Sequence, residues 1–288
     1  MHRFLLTRVV LCSLPVFWTA CTYDDSKTGD SQDLSDSGTS ADIEDSGDSG
    51  GSADIEDSGD SGGTSGGTEA VCTEPEAIAC EDDIILDLSL HDDKVSNGAV
   101  ETSMDGDDFV TLVDASAGGF SAASNNPWVY VKFTETGAER VDIDDYTALE
   151  SMDWDLSLRR YLLRLNGGSS GPSCVGAAAL VESAYADVEA LPADTPFVED
   201  GFYSDDCTLI NDSSGLPGSP QVALGQWWEY PGCVATTMVP HVVRLADGRQ
   251  LKLVVESYYG SGQETCNSTG RAGENSAQFT LRWRWLDQ

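Results

Sequence analysis

The sequence predicts an all-β, or β-rich, fold for the segment after residue 70, with at most one or two short helices. Apolar and polar residues alternate in residues 154–158 and again in 281–285, which is the period of a strand with one buried face. Residues 128–133, WVYVKF, are rich in the aromatic and β-branched side chains that favour strands. Stretches rich in Gly, Pro, Asp and Ser separate these runs and predict the connecting loops.

The central stretch, residues 151–172, carries two alternating runs that are out of phase by one residue. The first run places its apolar residues at even positions and the second at odd positions, and Arg159 and Arg160 stand side by side between them. A β-bulge at the arginine pair would turn both runs towards one core. We therefore expect a single long, bulged strand that ends at Asn166-Gly167-Gly168.

The other elements are predicted from the same patterns. We expect strands at residues 81–90, 109–113, 128–133 and 278–286, and a hairpin over 240–259 with its turn at 246–248. Residues 175–191 are rich in alanine and are assigned to one short helix or an irregular loop. Residues 192–220 are predicted to be mostly loop, and residues 227–230, WWEY, form an aromatic cluster.

Residues 1–20 have the features of a secretory signal for lipoproteins: basic residues at the start, then a short apolar run from Val9 to Trp18. The run is too short to span a bilayer as a permanent helix. Cys21 directly follows Ala20, as in a bacterial lipobox, although Trp18 stands where leucine is usual. We expect Cys21 to become a diacylated N-terminus; the alternative is an ordinary cleaved signal with a stray thiol. Thr22 then favours sorting to the outer membrane, so the expected location is the cell surface.

Residues 21–70 are predicted to be a disordered, acidic Gly/Ser/Asp tether. From Thr22 onwards they hold 14 acidic residues against one lysine, and a 12-residue unit occurs twice, starting at Ala41 and at Ala53. Such a composition offers too little apolar surface to fold alone. Two copies of a Gly/Ser/Asp unit are typical of a flexible, self-repelling spacer.

Residues 71–288 have the length of one folded domain. The domain keeps 36 acidic and 12 basic residues, within a net charge of −35 for the whole chain. This charge argues against nucleic acid as a partner and against peripheral binding to an anionic membrane. The acyl chains on Cys21 would therefore supply the attachment to the lipid membrane.

The cysteines of the domain form an even set, which predicts three disulfides in an exported chain: Cys72, Cys80, Cys174, Cys207, Cys233 and Cys266. We expect Cys72–Cys80 as the most local pair, together with Cys174–Cys207 and Cys233–Cys266. A metal site is disfavoured because the sequence has no CxxC pair and few histidines.

The order of motifs over residues 126–285 resembles the HmuY family. In chain order the motifs are NPWVYVKF, WDLSLRRYLLRLNGGSSGP, GQWWEY, VVRLADGRQLKLVVESYY and FTLRWRW. The WDL–RRY–RLNGG segment is the most specific, and the hairpin that ends in Ser257-Tyr258-Tyr259 is the second. The resemblance implies an exported bacterial lipoprotein with an antiparallel, β-rich fold. It also implies that the protein captures haem for iron acquisition and passes it to an outer-membrane haem receptor.

The resemblance further implies that two axial side chains, His or Met, hold the haem iron. His2 leaves with the signal and His91 lies in an early loop, so the preferred axial pair is His241 with Met238 or Met152. No motif assigns these residues to a ligand position of the family. The alternative for a histidine at the start of a strand is a hydrogen-bonded structural role.

Arg159, Arg160 and Arg164 place three bases on one predicted strand of an acidic domain. One hypothesis is that one or two of them, with Arg159 and Arg160 as the candidates, face a pocket and bind an anion such as the haem propionates. The alternative, which the abundance of acids favours, is pairing with Asp153, Asp155 and neighbouring carboxylates.

Catalytic motifs do not emerge from the sequence, which holds no GxSxG elbow, no HExxH and no P-loop. We therefore do not expect an enzyme. The sequence is compatible with two functions: a haem-binding, haemophore-like surface lipoprotein, and a surface binding or interaction module of the same fold that does not bind haem.

Overall fold

The structure is a computed structural model that describes residues 72–287 apart from 213, 215 and 217. The predicted signal at 1–20, the tether at 21–70 and the acylation site Cys21 lie outside the described residues. Within the described part of the chain, twelve strands, three short α-helices and three 3-10 helices follow one another.

The strands, in chain order, are β1 (Val100–Asp105), β2 (Asp108–Asp114), β3 (Val129–Thr134), β4 (Gly137–Val141), β5 (Leu156–Arg159), β6 (Leu162–Leu165), β7 (Gly176–Ala179), β8 (Trp228–Glu229), β9 (Ala235–Thr236), β10 (His241–Arg244), β11 (Gln250–Tyr259) and β12 (Ser276–Trp285). The α-helices are α1 (Glu81–Asp87), α2 (Asp145–Ala148) and α3 (Glu264–Thr269). The 3-10 helices span Phe120–Asn125, Tyr185–Asp187 and Gly225–Trp227.

Two antiparallel sheets and one short strand pair build the fold, which confirms the predicted fold class. The larger sheet has six strands in the order β1-β2-β12-β11-β10-β7, and the smaller sheet has four in the order β4-β3-β5-β6. β8 and β9 pair with each other. The sheets are joined at one corner, because the hydroxyl of Thr102 in β1 donates to the carbonyl of Ala138 in β4 and accepts its N–H.

The main core contains apolar side chains from both sheets, and β12 shows how the sequence pattern produces it. Phe279, Leu281 and Trp283 are buried, whereas the residues between them are partly exposed. The rings of Trp283 and of Phe133 in β3 meet edge to face at 4.9 Å, so aromatic contacts cross from one sheet to the other. The predicted last strand is therefore confirmed.

The predicted hairpin at residues 240–259 is confirmed as β10 and β11. Val243 lies opposite Leu251, and His241 lies opposite Leu253. The turn contains Gly248 at a φ of 87°, a left-handed conformation that glycine adopts at little cost.

The central stretch is a hairpin of two strands, so the predicted single bulged strand was wrong. β5 and β6 pair with Leu156 opposite Leu165, and Arg160 and Tyr161 form the turn between them. Arg160 takes a left-handed backbone conformation with a φ of 56°. A two-residue turn and a one-residue bulge both reverse the parity of the apolar positions, so periodicity alone does not distinguish them.

Residues 81–87 form a helix, so the strand predicted for residues 81–90 was also wrong. The first turn of α1 holds Glu81, Asp82 and Asp83, whose carboxylates are favoured beside the positive end of the helix dipole. The buried Ile84 and Leu88 are four residues apart, which is helical spacing. A short apolar run does not by itself separate a helix from a strand.

Residues 175–191 contain strand β7 and a 3-10 helix, so the predicted short helix over the alanine-rich part was wrong. Ala177 pairs with Val243 of β10 and exchanges two backbone hydrogen bonds with Val198 on its other side. A Cβ atom on Gly176 would lie 3.0 Å from the carbonyl oxygen of Val198. Small side chains are needed for this close approach, and strand pairing overrides the helical propensity of alanine.

All six cysteines of the domain form disulfides, as predicted, but only Cys233–Cys266 among the three expected pairs is confirmed. Cys72 pairs with Cys174 and Cys80 pairs with Cys207, so the expected Cys72–Cys80 and Cys174–Cys207 pairs were wrong. The observed pairs join residues 102 and 127 positions apart. They tie the first described segment to distant loops, and cross-links over long loops restrict the unfolded chain most.

Candidate ligand-binding site

Arg159 lies at the end of β5 and is almost fully buried. Its guanidinium donates hydrogen bonds to the carbonyl oxygens of Leu88, Ser89 and Asn126, and it stacks 4.6 Å above the ring of Trp128. Because Leu88 caps the C-terminus of α1, the arginine satisfies carbonyls that the helix end leaves without partners. Burial lowers the pKa of Arg159 to about 10, so the group stays charged at neutral pH.

Arg164 in β6 is completely buried. Its guanidinium lies 4.1 Å from the ring centroid of Trp128 and donates to the hydroxyls of Ser157 and Tyr130, both at 3.2 Å. The Tyr130 hydroxyl in turn donates to the Asp145 carboxylate at 3.1 Å. Burial raises the pKa of Tyr130 and of Asp145, and the charge of Arg164 opposes both shifts. The arginine therefore has a structural role inside the smaller sheet.

Arg160, in the hairpin turn, donates to the carbonyl oxygens of Ser116 and Ser276 and to the Ser276 hydroxyl. Within residues 72–287 none of the three arginines forms an ion pair with Asp153 or Asp155, so the expected pairing was wrong. Carbonyl and hydroxyl oxygens accept the hydrogen bonds of these arginines instead of carboxylates. None of the three arginines lines the cleft described next.

A cleft with a volume of about 1120 Å³ lies beside the free end of β7. The described residues of its walls come from the end of β7, from the following loops, from the segment 228–230 and from the approach to β10: Ala179, Val198, Glu199, Gly201, Asn211, Asp212, Ser214, Gln221, Val222, Ala223, Gly225, Gln226, Trp228, Glu229, Tyr230, Thr237 and Val239. The loops are rich in Gly, Pro, Asp and Ser, and Val198 in one of them pairs with Ala177 along the outer edge of β7. The buried Trp227 anchors the aromatic segment in the main core beside the cleft.

Among the described residues that line the cleft, Glu199, Asp212 and Glu229 carry carboxylates, and none is Lys, Arg or His. Two aromatic rings, Trp228 and Tyr230, meet near a right angle with centroids 6.4 Å apart. Trp228 is nearly buried, whereas 48% of Tyr230 is exposed. The cleft therefore combines an accessible aromatic ring with negative charge.

The residues expected to hold haem iron do not meet on one open surface. His241 is completely buried in the six-stranded sheet, between β7 and β11. Met238 precedes β10 and is half exposed, whereas Met152 precedes β5 of the other sheet. The Nε2 atom of His91 lies 3.0 Å from the carbonyl oxygen of Ser124 and forms a hydrogen bond with it.

His241 nevertheless lies close behind the cleft. Its cross-strand partner is Ala179, and cross-strand partners share one face of a sheet. Ala179 lines the cleft, and so does Val239, two residues before His241. Burial lowers the pKa of His241 to about 4, and a hydrogen bond to the backbone of Val239 acts in the other direction, so the ring is neutral at pH 7.

These residues do not fit a haem group. Haem propionates are negatively charged and are bound by cationic donors, whereas the cleft presents carboxylates. The iron requires axial side chains that reach the group. The part of the cleft lining that the structure describes contains no His or Met, and the imidazole of His241 behind it is fully enclosed.

The family model of the HmuY protein matches residues 124–270, and the chain belongs to the HmuY family. The matched segment runs from the start of β3 to the end of α3 and includes both the arginine hairpin and the cleft. No curated protein matches the chain.

Solved structures with partial similarity include a protein from Bacteroides vulgatus described as HmuY-like and haem-binding: 16% identity, TM-score 0.39, with 63% of this chain and 93% of that chain covered. The apo HmuY analogue of Tannerella forsythia is 16% identical with a TM-score of 0.40, covering 68% of this chain and 100% of that chain. TM-scores of this size are too low to establish a common fold, so membership rests on the family model.

The sequence identified the aromatic part of the cleft, at residues 227–230, but not the cleft itself. Glu199 and Asp212 lie in loops without periodicity, where no spacing rule places a side chain. The two arginines proposed for a haem site are instead bonded inside the fold. Only the composition of the loops, acidic and free of bases from 182 to 243, carried a signal for the charge of the cleft.

Arg159→Met should lower the free energy of unfolding by about 2–4 kcal/mol, because the buried carbonyls of Leu88 and Ser89 lose their donor while the apolar stem remains. Arg160→Met is the matched control and should cost less than about 1 kcal/mol, since Arg160 lies partly exposed in the hairpin turn. Urea denaturation followed by tryptophan fluorescence measures both. Equal losses would contradict the role assigned to Arg159.

His241→Leu should change how stability depends on pH. The folded pKa of about 4 lies below the ordinary value of 6.5, so the native protein loses stability as the pH falls from 6.5 towards 4. The loss should be about 3 kcal/mol in the native protein and absent in the variant. Denaturant unfolding at a series of pH values measures the difference between the two proteins.

The difference in pH dependence between the native protein and His241→Leu isolates the contribution of His241. Burial raises the pKa of Asp155 and Asp200 to about 6, so both groups contribute stability at low pH that is lost as the pH rises through about 6. That contribution is common to both proteins and cancels. Identical profiles for the native protein and His241→Leu would refute the assignment.

Proposed function

We propose that this protein is an exported, lipid-anchored surface protein of the HmuY family that captures a small ligand other than haem. The cleft beside β7 supports this proposal: its volume of about 1120 Å³ and its half-exposed aromatic ring suit a small-molecule site. We propose binding without catalysis, because the sequence carries no catalytic motif.

Haem capture, followed by delivery to an outer-membrane haem receptor, is the function that family membership suggests. Two observations favour a different ligand for this chain. The cleft is lined by carboxylates without a base, and its nearest histidine, His241, is fully enclosed. Folds of one family support different ligands because specificity is set by the residues of the site.

The proposed anchor is the acylated Cys21 at the end of the lipobox-like signal. A lipid-anchored domain needs a fixed point where the tether enters it, and Cys72 suits this role. Its disulfide to Cys174 and the hydrogen bond from the Glu76 N–H to the Pro172 carbonyl hold the first described residues against the domain. Among the described residues, no helix has the length and apolar character needed to cross a membrane.

Cys21→Ser should move the protein from the membrane fraction to the soluble fraction of a bacterial host that processes lipoproteins. The native chain should incorporate an alkyne-labelled fatty acid, and the variant should not, because the acylated thiol is absent. Cys12→Ser, within the signal, is the matched control and should keep the label. A native chain without label would overturn the anchor.

Hemin titration tests the choice of ligand. The mature chain from residue 21, carrying Cys21→Ser, should show only the absorbance of free hemin at micromolar protein concentration, because the cleft offers neither axial ligands nor propionate donors. A Soret band that disappears in His241→Ala or Met238→Ala would establish haem binding and overturn the non-haem proposal.

A further inference from the structure

We infer that the cleft beside β7 recognises an organic cation, held between the ring of Tyr230 and the carboxylate of Glu229. This inference rests on the proposed function and names the class of ligand that the same cleft takes. Three properties of the cleft support it: its charge, the availability of one carboxylate, and the exposure of one aromatic ring.

The charge of the cleft selects against anions. Its three carboxylates come from separate segments of the chain and are not offset by a base in the lining. A cleft lined by one sign of charge focuses the field and raises the local concentration of ligands of opposite sign. The negative charge of the whole domain adds to this effect at long range.

The three carboxylates differ in the hydrogen bonds and charges that already surround them. Asp212 is held inside its own loop, because its oxygens accept hydrogen bonds from Ser214 and Ser219. The pKa of Glu199 is raised by burial and by the Glu76 carboxylate, with Arg244 acting in the opposite direction. Glu229 is exposed at the end of β8, and its carboxylate makes no hydrogen bond or ion pair within the described residues. It is therefore the carboxylate that is free to pair with a ligand.

The aromatic ring next to Glu229 supplies the second half of the site. Tyr230 is half exposed, and the nearly buried Trp228 supports it from the side at 6.4 Å. An exposed aromatic face attracts ammonium and guanidinium groups, most strongly where a carboxylate is close. The two adjacent residues thus present a π-face and a negative charge to the same cleft.

The arrangement favours an organic cation over a metal ion. Among the described residues, the one group of three side chains close enough to hold a metal contains Cys80 and Cys207, which are disulfide-bonded, and it lies outside the cleft. The carboxylates of the cleft are spread along its walls. Such a spacing suits a ligand with several atoms and a diffuse charge.

Choline and its neutral isostere 3,3-dimethyl-1-butanol test the inference directly. The probes differ in one charge and share one shape, and each is titrated into the mature chain that carries Cys21→Ser. Amide NMR shifts and tryptophan fluorescence follow binding. We expect choline to bind at least about ten-fold more tightly than the alcohol, and Tyr230→Leu or Glu229→Gln to weaken choline about ten-fold. Glu139→Gln, on β4 away from the cleft, is the matched control and should bind as the native chain does.

A set of small cationic, neutral and anionic fragments, including spermidine, completes the test by NMR. Equal affinity of choline and the alcohol, or shifts at Tyr230 caused by neutral or anionic fragments alone, would overturn the cation and leave ligand capture intact. A cleft that responds to no fragment of any charge would overturn both proposals.

Discussion

A buried arginine network holds the four-stranded sheet and its surroundings together. The guanidinium of Arg164 has no access to water, so its charge requires partners at fixed positions. Trp128 and Tyr130 of the neighbouring segment are these partners. The Tyr130 hydroxyl also donates a hydrogen bond to Asp145 at the start of α2. Asp145 also accepts the backbone N–H groups of Trp128 and His91, so the chain before β1 is fixed by the same carboxylate. The opposite face of this sheet remains apolar and packs against the larger sheet.

Three arginines of the domain make their contacts away from the cleft. Arg164 is bonded within the smaller sheet, Arg159 donates to carbonyls of the preceding segments, and Arg282 on β12 pairs with Asp105 and Glu256 on the surface of the larger sheet. These bases are not among the described residues that line the cleft. The proposed selectivity for a ligand therefore depends on the loops, which carry the specificity of a fold.

Strands with a strict period of two were predictable, and elements that depend on distant partners were not. β12 and the β10–β11 hairpin appear where the alternation placed them, because a half-buried strand needs that pattern. The sequence showed that the parity of the apolar positions changes at Arg160, but a two-residue turn and a one-residue bulge produce the same change. The alanines of β7 were misassigned because the reason for small side chains is the backbone of Val198, more than twenty residues away in the chain.

By itself, the sequence determined the β-rich class, the use of all six cysteines in disulfides and the family, since each of these follows from local composition or spacing. Only the tertiary structure decided the disulfide partners, the burial of the arginines and of His241, and the acidic cleft. The physical reason is that these features depend on which segments meet in space. The free carboxylate of Glu229 and the exposed ring of Tyr230 become part of one cleft only because the fold brings them together with residues from other loops, such as Glu199 and Asp212.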